Sequence, residues 1–179
     1  MRYIALLRGI NVGGNKKVPM AGLRAMLAEL GFDDVATILQ SGNAVFSASR
    51  RTPATLEKLL EEETAARIGV ECDYHVRTAS EWEKIIASNP FEREARDDPS
   101  RMLVMCFREP LDATRVAALK QSPAIDRERV EASGRELYLS YPGGIGTTKL
   151  SNVVIERALG AKGTARNWNT ALKLAALAR

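Results

Sequence analysis

The 179-residue chain predicts an α+β fold made of two similar halves and closed by a C-terminal helix. Three observations carry this. Landmarks recur: Tyr3-Ile4-Ala5-Leu6-Leu7-Arg8 returns as Leu103-Val104-Met105-Cys106-Phe107-Arg108, the proline-led Pro19-Met20-Ala21-Gly22-Leu23-Arg24 returns at Pro110, and Ser41-Gly42 returns as Ser133-Gly134. Within each half, runs of strand length are interleaved with longer runs whose apolar residues recur at helical spacing. Apolar residues make up 45% of the chain, which suits a globular core, and no apolar run approaches the ~18 residues of a membrane span.

The elements follow in order. Residues 2–8 are apolar on both faces, as expected of a strand covered on both sides. Pro19 opens a helix at its first position, where a missing N–H does no harm. Leu23, Met26, Leu27 and Leu30 recur at i, i+3, i+4 and i+7, and Gly31 stops that helix. Val35–Leu39 and Ala44–Ala48 are strands joined by a tight hairpin turn, Gln40-Ser41-Gly42-Asn43. Thr52 before Pro53 starts a second helix, with Leu56, Leu59, Leu60 and Ile68 on one face. Glu61-Glu62-Glu63 reads as its solvated side. Cys72, Tyr74 and Val76 alternate with Asp73, His75 and Arg77, so this strand is expected to be half open to water. A helix over about 79–87 ends the half.

The order β-α-β-β-α-β is that of a ferredoxin-like unit. Residues 1–88 form the first such subdomain. Residues 89–100 are charged, proline-bounded and aperiodic, and read as a linker. Residues 101–179 form the second subdomain and the terminal helix: a strand over 102–107, a helix over about 111–121, strands near Val130 and over 137–141, a helix carrying Leu150, Val153, Val154 and Ala158, a short strand over 163–166, and a final helix capped by Asn167.

One difference between the halves stands out. The first half has nine more residues between strand and helix, and they lie in the Gly-rich loop that begins Arg8-Gly9-Ile10-Asn11-Val12-Gly13-Gly14-Asn15-Lys16-Lys17. Matching elements joined by unequal loops are where function is commonly grafted.

Charge is uneven. Residues 1–50 carry +3, residues 51–98 carry −5, and residues 99–179 carry +6, for a net +4. The acidic middle argues against a uniformly basic nucleic-acid binder, while the ends suit a small anion or a phosphate. Aromatic residues are 6% of the chain and no strand is aromatic-rich, so nucleic acid is the weaker partner reading. The N-terminus has no signal-peptide pattern, and Cys72 and Cys106 read as reduced thiols inside strands, which together point to the cytoplasm. The lone histidine, His75, reads as a surface residue. No Cys/His cluster has metal-ligand spacing, no cofactor motif is present, and no membrane partner is expected.

Three polar motifs are candidate sites. In the Gly-rich loop, successive backbone N–H groups form an anion nest, with Arg8, Lys16 and Lys17 to neutralise charge. Gly9 and Gly14 have the spacing of a P-loop, but Asn15 stands where its lysine must be, and a P-loop NTPase is rejected. A second Gly-rich stretch, Pro142 to Gly146, leads through Lys149 to Asn152 at a helix start. Arg166-Asn167-Trp168-Asn169-Thr170 combines a cation, amides and an aromatic that suits stacking. The bland readings are a solvated loop, a capped helix start and an anchoring tryptophan.

The chain resembles the uncharacterised family catalogued as domain of unknown function 1697. The resemblance rests on Arg8-Gly9-Ile10-Asn11-Val12-Gly13-Gly14 with Lys17 and Met20, on Leu39-Gln40-Ser41-Gly42-Asn43, on Lys149-Leu150-Ser151-Asn152, and on Thr164-Ala165-Arg166-Asn167-Trp168-Asn169-Thr170. It implies an α+β fold of two similar subdomains and no particular activity. The expectation is an anionic, phosphate-bearing small ligand bound by Arg8, Asn11, Gly13, Gly14, Lys17, Gln40, Ser41, Asn43, Lys149, Asn152, Arg166, Asn167, Trp168 and Asn169. The alternatives are an enzyme acting on such a ligand and an interaction module without one.

Overall fold

A computed structural model describes residues 1–11 and 16–179. The chain divides into two compact units, Met1–Lys84 with Leu174–Arg179, and Ile85–Lys173.

The first unit holds β1 (Arg2–Leu7), α1 (Met20–Glu29), β2 (Asp33–Thr37), β3 (Asn43–Ser47), α2 (Pro53–Ile68), β4 (Tyr74–Thr78) and the start of α3 (Ala79–Ala87). Its sheet has the order β2-β3-β1-β4, with every neighbour antiparallel. Tyr3, Ala5 and Leu7 on β1 meet Leu23, Met26 and Leu27 of α1 and Leu56 and Leu60 of α2 in one apolar cluster. Ile4 and Leu6, on the other face of β1, are also buried, as the two-faced apolar run predicts. Each such buried side chain contributes roughly 1.5–3 kcal/mol. The Tyr3 hydroxyl donates to Arg51 O (2.8 Å) and accepts from Arg51 N (2.9 Å), tying β1 to the chain entering α2.

β4 differs from expectation. It is buried on both faces, with His75 and Arg77 each 1% exposed. Polar identity alone does not put a strand face in water: Arg77 Nη1 donates to Val76 O of its own strand at 2.9 Å, so its head stays hydrogen-bonded while buried. The free edge of β4 is sealed by carboxylates. Tyr74 N donates to Glu61, Val76 N to Glu57 and Thr78 N to Glu81, each at 2.8 Å. Glu57 and Glu61 lie one turn apart on α2, a rise of about 6 Å, which nearly matches the roughly 6.6 Å between alternate strand residues. Glu61 is therefore part of the fold rather than of a solvated face. Sealing an edge in this way removes a template for pairing with other chains.

The second unit holds the end of α3, α4 (Glu92–Asp97), β5 (Met102–Phe107), α5 (Ala113–Lys120), β6 (Arg129–Ser133), β7 (Glu136–Ser140), α6 (Asn152–Leu159), β8 (Gly163–Asn167) and the start of α7 (Trp168–Leu177). Its sheet, β6-β7-β5-β8, repeats the antiparallel order of the first. Met105 and Phe107 pack with Val116, Leu119, Leu137, Leu139, Leu150 and Ile155. Helix starts are capped as their residue types suggest: Asp112 accepts from Arg115 N (2.9 Å) and Ser151 from Val154 N (3.4 Å).

Three details depart from the sequence reading. The stretch 89–100, expected as a linker, lies within the second unit and contains α4 and most of a 3-10 turn over Pro99–Arg101. Its charges hid a short helix whose anchor, Phe91, is buried beneath Arg129 at 4.6 Å. The end of α7 counts with the first unit, where Arg2 Nη2 donates to Leu177 O at 2.9 Å. The connection 8–19 is seven residues longer than 108–112, not nine, because α5 begins at Ala113 after its Asp112 cap.

Candidate functional site

The first unit brings together the Gly-rich loop and the β2–β3 connection. Gly13 and Gly14 lie outside the described residues. Asn11, at φ 55°, acts as a clamp: its side chain accepts from Val18 N (2.9 Å) and donates to Val18 O (3.1 Å) and to Gln40 O (2.6 Å). Its backbone N–H donates to Lys16 O (3.1 Å). The two ends of the loop are thus joined to each other and to the neighbouring connection. Gly42 completes the join. It has φ 80°, accepts from Leu7 N at 2.9 Å, and lies where a Cβ would come within 2.6 Å of Ile10 Cδ1 and 2.8 Å of Leu7 Cβ. Only glycine meets both conditions.

Around this clamp, Arg8 pairs with Asp73 at 3.5 Å. Lys16 and Lys17 are exposed and form no ion pair with a described residue. Gln40 and Ser41 are exposed on the adjoining connection. Asn43 is fully buried and donates to Ile38 O (2.9 Å) and to Ser41 Oγ (3.1 Å), so it shapes the turn from within. Burial pushes the Cys72 thiol up to about 11, and the charge of Lys16 holds back part of that rise.

The other predicted residues belong to the second unit. Lys149 is exposed and lines a cavity of about 490 Å³ with Gly143, Gly144, Thr147, Thr148 and Glu128. The Thr148 hydroxyl donates to Glu128, as do Asp126 N (2.8 Å) and Arg127 N (3.1 Å), and these bonds hold the carboxyl below its ordinary range. An ionised, fully engaged carboxylate is an anchor for the loop rather than a proton donor poised near neutrality. Asn152 begins α6 and is exposed.

In β8, Arg166 is buried and donates to Thr164 Oγ1 (2.7 Å) and to Ala165 O (2.8 Å); burial lowers it to about 10. Asn167 donates to Ser100 O (2.8 Å) and accepts from Asn169 N (3.1 Å), capping α7. Trp168 is buried, tilted against Tyr138 at 6.3 Å, and so offers no open ring to a base. Asn169 is exposed.

His75, expected at the surface, is buried. Among the described residues, no three His, Cys, Asp or Glu side chains gather to hold a metal, and no helix is long and apolar enough to cross a membrane. A cavity of about 730 Å³ in the second unit is lined by none of the residues chosen from the sequence. Its residues come from the stretch read as a linker and from the strand ends, and only the fold brings them together.

No curated protein matches the chain. Among solved structures, "the structure of conserved bacterial protein SP0830 from Streptococcus pneumoniae" is similar at 25% identity and a TM-score of 0.77, covering 99% of this chain and 98% of that one. The family profile described as "Protein of unknown function (DUF1697)" matches residues 1–138, a span that includes the Gly-rich loop and the 39–43 motif but not the motifs at 149–152 and 164–170. The chain belongs to that family of proteins of unknown function.

Proposed function

We propose that this protein binds a phosphate-bearing or other anionic small molecule at the first Gly-rich loop. The observation behind this reading is the pair of exposed cations, Lys16 and Lys17, which form no ion pair with a described residue, on a loop whose ends are clamped by Asn11. A clamped loop gives up less conformational freedom when it closes on a ligand, so more of the attraction appears as affinity. Arg8, Gln40 and Ser41 border the same surface. The order β4-β1-β3-β2, repeated as β8-β5-β7-β6, supports reading each unit as ferredoxin-like and the chain as a tandem duplication.

The second reading is an interaction module. It draws on the number of motif residues whose polar atoms are used inside their own units: Asn11, Asn43, Arg166 and Asn167 are all hydrogen-bonded there, and Trp168 is buried. The enzyme reading has less behind it, because Glu128, the carboxylate beside the second Gly-rich stretch, is taken up by Thr148 Oγ1, Asp126 N and Arg127 N.

A thermal-shift screen against inorganic phosphate, pyrophosphate, nucleotides and phosphosugars, run on wild type and on Lys17→Ala, tests the proposal. A ligand at about a hundred times its Kd adds about 2.7 kcal/mol of stability. The proposal expects a shift in wild type that Lys17→Ala abolishes. No shift with any anion, or an equal shift in both proteins, refutes it.

A further inference from the structure

The cavity of about 730 Å³ lies wholly within the second unit, between the 89–101 segment and the ends of β6 and β7. Two buried polar side chains in its wall have hydrogen-bonding capacity that no described residue fills. Asn89 is 7% exposed, and its Oδ1 accepts from Phe91 N at 3.0 Å. That bond fixes the orientation of the amide and leaves Nδ2 as a donor with no acceptor among the described residues. Ser140 is 2% exposed, and its hydroxyl has no partner among the described residues. Neither atom is sealed off from the cavity, so both are available to an occupant there.

The charges at the rim say what kind of occupant. Arg129 is paired with Glu94 and stacked over Phe91, and Arg101 is paired with Asp98 at 3.0 Å and donates to Pro142 O. These charges cancel. With Glu92, Arg93, Arg96 and Asp97 also in the lining, four cations face four anions, and an entering ion of either sign meets like charges among them. A neutral hydroxylated molecule avoids this, and each of its hydroxyls both donates and accepts.

We propose that this cavity binds a neutral polyhydroxylated small molecule, with an oxygen accepting from Asn89 Nδ2 and a hydroxyl bonded to Ser140 Oγ. The volume falls in the usual range of small-molecule pockets. A linear polyol and a cyclic sugar share this chemistry. The site is separate from the Gly-rich loop, so its success or failure is independent of the anion reading.

The test is an NMR titration of the full-length ¹⁵N-labelled chain, following the side-chain NH₂ pair of Asn89, identified by its absence in Asn89→Asp. Sorbitol and D-glucose are the probes, with acetate and glycine as ionic comparators. The expected result is a saturable shift with sorbitol or glucose, and which of them acts identifies the source. Ser140→Ala, which removes the hydroxyl and adds nothing, weakens that binding about tenfold, as expected for one lost hydrogen bond. Ser140→Val, which also narrows the cavity, abolishes it. A linear, non-saturating drift, or no shift with either probe, means that water alone fills the cavity and overturns the proposal. A saturable shift with acetate or glycine and none with the neutral probes overturns the ligand class.

Discussion

Replacing Gly42 with alanine tests how closely the Gly-rich loop and the β2–β3 connection are fitted. The substitution has two costs. Holding a residue with a Cβ in the left-handed region costs about 1–2 kcal/mol. The new methyl also lands 2.6 Å from Ile10 Cδ1 and 2.8 Å from Leu7 Cβ. Ile10 Cδ1 is a side-chain end and can rotate away. Leu7 Cβ belongs to β1 and cannot move without the strand, so overpacking adds about 1–3 kcal/mol. The sum is roughly 2–5 kcal/mol. Gly9 supplies the control, since it has φ 66° and nothing within 4 Å of its would-be Cβ. Gly9→Ala bears the conformational cost alone, about 1–2 kcal/mol. Urea denaturation followed by circular dichroism measures both variants. If Gly42→Ala costs no more than Gly9→Ala, the two loops are not packed as described and the reasoning fails.

Other outcomes follow from the same contacts. Asn11→Ala, which removes three side-chain hydrogen bonds, lowers stability by about 1–3 kcal/mol, and Asn11→Asp lowers it further because a carboxylate then faces the carbonyls of Val18 and Gln40; denaturant midpoints rank the two. Glu57→Ala strands the buried Val76 N–H at a cost of about 1–3 kcal/mol, whereas Glu57→Gln keeps an acceptor there and is milder in the same assay. Cys72 makes stability fall in alkali. Its folded value, about 11, lies above the ordinary 9.0, so the unfolded chain releases that proton first. The contribution is intact below pH 9 and is lost as pH rises through 11, by at most about 2.7 kcal/mol. Stability measured against pH therefore has a shallower alkaline slope in Cys72→Ala than in wild type.

The parts of the fold that were legible were those set by local pattern. The apolar run of β1, the helical spacing of Leu23, Met26 and Leu27, and the cap chemistry of Thr52 each act over a few residues, and each appears in its place. What stayed hidden depends on distant partners. Alternation at 72–77 suggested one wet face, but tertiary cover buries His75 and Arg77. The spacing of Glu57 and Glu61 acquires meaning only once α2 is known to run beside β4. A usable signal was present at Thr78-Ala79-Ser80-Glu81, a capping box in which Glu81 N donates to Thr78 Oγ1 (3.1 Å) while Thr78 N donates to Glu81 (2.8 Å).

The candidate site shows the same division. Residue type marked Arg8, Asn11, Lys17 and Asn43 as equally suited to a ligand. Geometry separates them, because Asn11 and Asn43 use their amides to hold the loops while Lys17 remains exposed. An asparagine that clamps a loop and one that grips a ligand look identical until their partners are seen.

The most direct test of the anion site is a titration of the ¹⁵N-labelled protein with inorganic pyrophosphate, following the backbone amides of Gly9, Asn11, Lys16, Lys17 and Ser41. Saturable shifts concentrated on those residues, and lost in the Lys16→Ala, Lys17→Ala double variant, are the expected result. Shifts confined to the second Gly-rich stretch at 143–149, or none at any amide, would contradict it.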